Sequence, residues 1–153
     1  ESGFNFPREG ARVSVVEFDG RYHTGPVAIR GEFAQIFIDG AEGLNDLLQR
    51  STGVNPNIAE QMRGFYIEPS WRPLPKLPFD TALFVRYENF DTQYRMPPGV
   101  LPLKQFDRAA WVVGASYFPD PDIALKFDYS VIRNQSSLFS SVDSLNVGLG
   151  WWF

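Results

Sequence analysis

The 153-residue chain contains no cysteine and a single histidine, His23. Disulfide scaffolds, thiolate metal sites and cysteine nucleophiles are therefore excluded. One imidazole cannot build a multi-histidine metal centre, and any Ser-His-Asp catalyst would have to use it. No stretch approaches the roughly 18 consecutive apolar residues that a membrane-spanning helix requires. Basic residues are not in excess either: 14 Lys and Arg against 18 Asp and Glu, a net charge of -4, leave no electrostatic footprint for nucleic acid. These absences point away from an enzyme, a cofactor and a nucleic-acid partner. What is present is aromatic: 14 Phe, 6 Tyr and 4 Trp among 13 Gly and 12 Pro, the composition of many strands joined by turns.

Seven stretches alternate apolar with polar or small residues at the period of two that a half-buried strand requires. They cover residues 12–22, 26–38, 63–72, 79–90, 107–118, 122–133 and 143–153. Most run to about 10–13 residues, longer than the usual strand of about 5–6 and matched to the 9–11 that a tilted strand needs to cross a bilayer. Within them one face is apolar and the other carries charges of both signs. Val27, Ile29 and Phe33 oppose Arg30 and Glu32; Phe65, Ile67 and Trp71 oppose Glu68 and Arg72; Leu83, Val85 and Tyr87 oppose Arg86 and Glu88. Likewise Ile123, Leu125, Phe127, Tyr129 and Val131 oppose Lys126 and Asp128, and Leu145, Val147, Leu149, Trp151 and Phe153 oppose Asn146, Gly148 and Gly150. The alternation alone also fits a water-soluble sandwich.

The connections discriminate. Short links at 23–25, 73–78 and 119–121 alternate with long ones at 39–62, 91–106 and 134–142. That rhythm is the pattern of an outer-membrane barrel, with short periplasmic turns and long outer loops. With the C-terminus periplasmic, Trp71, Phe79, Tyr117, Trp151 and Phe153 fall near the turn end of their strands. Phe65, Tyr87, Trp111 and Tyr129 fall near the loop end, so two aromatic belts are expected. In the 39–62 loop, Ala41, Leu44, Leu47 and Leu48 have helical spacing, and Asn55-Pro-Asn57 offers a second helical turn before Ile58. Such a helix either narrows a pore or packs on the rim.

The final residues, Leu145-Asn-Val-Gly-Leu-Gly-Trp-Trp-Phe153, resemble the C-terminal assembly signal of bacterial outer-membrane barrels, with a terminal aromatic preceded at every second position by Trp151, Leu149, Val147 and Leu145. The segments 84–90 and 111–129 resemble the closing strands of the phosphate-selective porin O/P family. The resemblance implies a trimeric, multi-stranded, anion-selective channel in a Gram-negative outer membrane, inserted by the barrel-assembly machinery. The sequence departs from an excess of lumen cations: Arg30, Arg72, Arg86 and Lys126 stand against Glu32, Glu68, Glu88 and Asp128. Single-chain bacterial barrels have an even strand count with both termini periplasmic. Seven strands then predict a preceding strand, with residues 1–10 an outer loop or its remnant. The rival is an eight-stranded barrel using residues 3–8.

Other candidates are weaker. His23 is expected in a turn; Asp120-Pro-Asp122 reads first as a turn and only second as a calcium site. Asn134-Gln-Ser136 matches a glycosylation acceptor with little meaning in bacteria. Pro69 predicts a bulge or an early strand end, and the apolar residues of 96–102 a trimer contact or a packed outer loop. The expectation is thus an all-β antiparallel transmembrane meander, the closing part of a larger barrel. It touches outer-membrane lipid and passes small hydrophilic solutes along Arg30, Glu32, Glu68, Arg72, Arg86, Glu88, Lys126 and Asp128. The alternatives are a scaffold or adhesin barrel, plugged or closed, and an outer-membrane enzyme.

Overall fold

A computed structural model describes residues 11–73, 75–76, 80–136, 138 and 141–151. Seven strands form one sheet: β1 Arg12–Thr24, β2 Val27–Asp39, β3 Gln61–Trp71, β4 Asp80–Arg95, β5 Asp107–Asp120, β6 Ile123–Asn134 and β7 Val142–Trp151. Their order in space is their order in sequence and every pairing is antiparallel. Short links join β1–β2, β3–β4 and β5–β6, and long ones join β2–β3, β4–β5 and β6–β7. Within the sheet, β1 and β7 each pair on one side. The expected terminal aromatic Phe153, the belt residue Phe79 and residues 1–10 lie outside the described residues.

Two hairpins are tighter than the sequence indicates. β1 continues through His23, which pairs with Ala28, so the turn is Gly25-Pro26 and His23 is a strand residue rather than a turn residue. Gly25 supplies the left-handed φ of 55°, which glycine adopts without a Cβ penalty. β5 likewise extends to Asp120, whose Oδ1 accepts the Asp122 N–H at 3.0 Å. That Asx turn explains the paired carboxylates.

Pro69 corrects an expectation. β3 neither bulges nor ends there; it pairs with Ile29 of β2 and runs on to Trp71. The β3–β4 ladder instead omits its pairs at 68 and 69 and resumes in the same register at Ser70, so a missing donor is absorbed locally. The register shift in this pair lies at the other end, between Gln61 and Arg63, where β4 reaches Arg95.

A helix, α1 (Ala41–Thr52), fills the first half of the long β2–β3 loop, bracketed by the left-handed glycines Gly40 and Gly53. The turn expected at 55–57 is not helical. Its backbone is tied to α1 instead: buried Asn45 donates to the Ile58 carbonyl at 2.9 Å and accepts its N–H at 2.8 Å. Buried Gln93 then joins the loops, donating to the Asn57 carbonyl at 3.2 Å and accepting the Leu103 N–H at 2.8 Å. In the 96–102 loop Met96 is buried and Leu101 exposed, so its base packs and its tip does not.

No large side chain is fully buried among the described residues, and the buried apolar set is Ala41, Ala59, Phe84, Met96, Ala110 and Val112. The exposed apolar set is far larger and includes Phe18, Ile29, Ile67, Trp71, Val85, Trp111, Phe127, Leu145, Val147 and Trp151. No helix among the described residues is long and apolar enough to cross a membrane.

Candidate functional site

The registers place the charges. From β2 to β7 even-numbered residues face even-numbered ones across each ladder, and even residues of β2 face odd residues of β1. Period-two alternation therefore puts Arg30, Glu32, Glu68, Arg72, Arg86, Glu88, Lys126 and Asp128 on one face. Apart from Val142 at the start of β7 and Tyr94 beyond the register shift, the exposed apolar residues of β2–β7 fall on the other, together with Val16, Phe18 and Tyr22 of β1; Val13 and Val15 of β1 are exposed on the charged face. The charged face is the more enclosed: Glu68, Phe84, Ala110, Val112 and Ser130 on it are buried, while Ile67, Val113, Leu145 and Val147 opposite are exposed.

At the centre of the charged face lies a four-residue chain of ion pairs across three strands. Glu68 of β3, with 5% of its side chain exposed, accepts Arg30 Nε at 2.8 Å on Oε1 and Arg86 Nε at 2.7 Å on Oε2. Arg86 in turn donates from Nη1 to Glu88 at 2.9 Å. Directly opposed residues on antiparallel strands hold their Cβ atoms about 5 Å apart, the reach these side chains need. Burial of Glu68 is tolerated because each carboxylate oxygen has a guanidinium partner.

The remaining predicted charges form separate pairs. Arg72 is bonded to Asp80, with Nε 2.6 Å from Oδ1. Asp80 is a partner the sequence reading missed, because a strand start beside a proline-rich link carries no signal of its own. Lys126 lies 3.5 Å from Asp128, which also accepts Asn146 Nδ2 at 2.8 Å. Aromatics interleave with these cations: Lys126 Nζ is 4.8 Å from the Phe84 ring centroid and the Arg86 guanidinium 5.3 Å from that of Tyr66. Phe84 is seated over Gly114, where an added Cβ would come within 2.5 Å of both the Phe84 ring and the Phe127 carbonyl. The packing around Phe84 thus requires a glycine at 114.

Sequence reasoning also missed Asp19 and Arg21 of β1, which the register sets opposite Glu32 and Arg30 on the same face. Their spacing is the acid-base couple already recognised on other strands. Neither they nor Glu32 has an ion-pair partner among the described residues. Groups of three or more metal-ligating side chains are absent from the described residues.

On the apolar face, an aromatic row crosses β3–β5: Phe65 and Tyr87 at 6.0 Å between ring centroids, and Tyr87 and Trp111 at 4.9 Å. Charges on this face cluster toward the loop ends of the strands. There Arg63 stacks on Tyr94 at 3.7 Å, and Asp143 accepts Arg133 at 3.1 Å and the Tyr129 hydroxyl at 2.9 Å. Of the residues resembling an assembly signal, Leu145, Val147, Leu149 and Trp151 are all exposed on the apolar face of edge strand β7.

Comparison with known proteins adds one relative. No protein-family profile matches the chain, and no solved structure matches it. An uncharacterized protein of Aquifex aeolicus (strain VF5) is 30% identical over 96 residues. That alignment takes in 61% of this chain and 22% of the relative, so the chain matches about a fifth of that protein's length.

Proposed function

We propose that this sheet is part of the wall of an outer-membrane β-barrel porin. The apolar face touches lipid, and the charged face lines a water-filled path for passive diffusion of small hydrophilic solutes or ions. One observation carries the reading: apolar side chains spread across the width of the sheet are exposed on one face, while the opposite face carries charges of both signs, seven of the eight named in bonded pairs and Glu32 without an ion-pair partner among the described residues. Contiguous exposed apolar patches beyond a few hundred Å² are rare on water-soluble monomers. Hydrocarbon tolerates such a face only if the backbone is fully paired, and a closed meander achieves this. The edges β1 and β7 would be joined by further strands of the same barrel. The aromatic row at Phe65, Tyr87 and Trp111 would sit at the outer interface, where amphipathic rings are favoured.

The polarity of the path is mixed. The eight lining charges, four of each sign, give no cation excess, so strong phosphate selectivity is not part of the proposal. Membrane insertion would proceed through the barrel-assembly machinery, reading the alternation on β7, and a trimer follows only from the family resemblance. A second reading, a closed scaffold or adhesin barrel, draws on the Phe84, Gly114 and Lys126 packing, which fills part of the charged face. Planar-bilayer recording separates them. Discrete ion-conducting steps from the full-length protein support the porin; stable insertion with no steps favours the scaffold, and failure to enter lipid at all overturns both.

A further inference from the structure

The charged couples share a polarity that the sequence disguises. Four strands carry an acid and a base two residues apart on the charged face: Asp19 and Arg21 on β1, Arg30 and Glu32 on β2, Arg86 and Glu88 on β4, and Lys126 and Asp128 on β6. Neighbouring strands run in opposite directions, so a fixed order in sequence would alternate in space. Instead the order in sequence inverts with the strand. On β1, which runs from loop end to turn end, the acid comes first; on β2, β4 and β6, which run the other way, the base comes first. In every couple the carboxylate therefore lies on the long-loop side of its cation. At β3 the same order holds over a longer step, with Glu68 nearer the loop end than Arg72, which stands one residue past the strand's end at Trp71.

The geometry points to a wall polarised along the strands, negative toward the long loops and positive toward the short turns, and hence to a pore that passes current unequally in its two directions. This rests on the porin reading. Two residues of strand span about 7 Å, or about 5 Å along the axis at a tilt of 35–45°. That separation is shorter than the Debye length of about 10 Å at 0.1 M salt and longer than the roughly 3 Å at 1 M. Mobile cations collect beside the carboxylates and anions beside the guanidinium and ammonium groups. A voltage positive on the loop side drives both kinds of ion into the zone between the two layers and raises conductance; the opposite voltage empties that zone. Glu17 extends the negative end on β1. Two groups depart from the pattern: Arg108 near the loop end of β5, its guanidinium held by the Gln105 carbonyl at 3.0 Å, and Asp80 at the turn end of β4, bonded to Arg72.

The test is single-channel recording of the full-length protein at equal positive and negative voltages. The expected result is a current ratio different from one, larger with the loop side positive, and falling towards one when salt is raised from 0.1 to 1 M. Exchanging the β1 couple, Asp19→Arg with Arg21→Asp, keeps net charge and touches no ion pair of the described residues. It should lower the ratio. Neutralising two couples together, Asp19→Asn, Arg21→Gln, Lys126→Gln and Asp128→Asn, should lower it further, with β circular dichroism confirming the fold. Equal currents in the unaltered channel overturn the polarity while leaving the porin reading intact, as does a ratio that none of these variants moves. Absence of any conducting step overturns the porin reading and the polarity with it.

Discussion

The central ion-pair chain makes an ordered prediction about Glu68. Its carboxylate is almost wholly enclosed and takes a guanidinium on each oxygen, whereas the Arg30 and Arg86 side chains are 47% and 21% exposed. Glu68→Gln keeps the size but turns one acceptor into an N–H₂ group facing a guanidinium donor. Two charge-assisted bonds are weakened, and two cations are left facing each other across β3. A hydrogen bond to a charged group contributes about 1.5–3 kcal/mol, and truncating one partner of a fully buried pair costs about 3–5 kcal/mol. With water reaching both arginines, the loss for Glu68→Gln should be about 2–3 kcal/mol. Arg86→Gln removes bonds to both Glu68 and Glu88 and should cost about 1–2 kcal/mol. Arg30→Gln leaves Glu68 held by Arg86, gives up a half-exposed cation, and should cost under about 1 kcal/mol. Denaturant unfolding of the protein reconstituted in neutral lipid vesicles measures all three. The reasoning fails if Arg30→Gln costs as much as Glu68→Gln, or if Glu68→Gln is neutral.

Three further perturbations test other parts of the structure. Val147→Arg on the apolar face of β7 should cost about 2–4 kcal/mol of folding stability in vesicles if that face meets lipid at mid-depth; Asn146→Arg beside it should cost much less, and equal costs would contradict the assignment of faces. Gly114→Ala should cost about 1–3 kcal/mol by overpacking against Phe84 and the Phe127 carbonyl, while Gly20→Ala, with open space around its Cβ, should be near neutral in the same unfolding assay. Asn45→Ala should leave the Ile58 backbone groups unpaired at about 1–3 kcal/mol. The local loss should appear as faster proteolytic cleavage within residues 53–60, with the strands unaffected, and an unchanged cleavage rate would argue that α1 is held by other contacts.

The strands, their order and the assignment of the eight charged residues to one face were legible in the sequence, because side-chain period and hairpin length are local properties. Alternation around Ile29, Ile67 and Val85 placed each strand with no knowledge of its neighbours, and short links forced antiparallel pairing of β1 with β2, β3 with β4 and β5 with β6. The helical spacing of Leu44, Leu47 and Leu48 likewise foretold α1. Tertiary structure decided what depends on two strands at once. Which base meets which acid is a matter of register, so only the ladders could join Glu68 to both Arg30 and Arg86 and give Arg72 the partner Asp80. The common direction of the acid-base couples was hidden for the same reason: Asp19 before Arg21 and Lys126 before Asp128 look opposite in sequence and become parallel only when the strands are laid antiparallel. Pro69 was misread because propensity cannot say whether a neighbouring ladder tolerates two missing pairs, and here the flanking strands held the register through them.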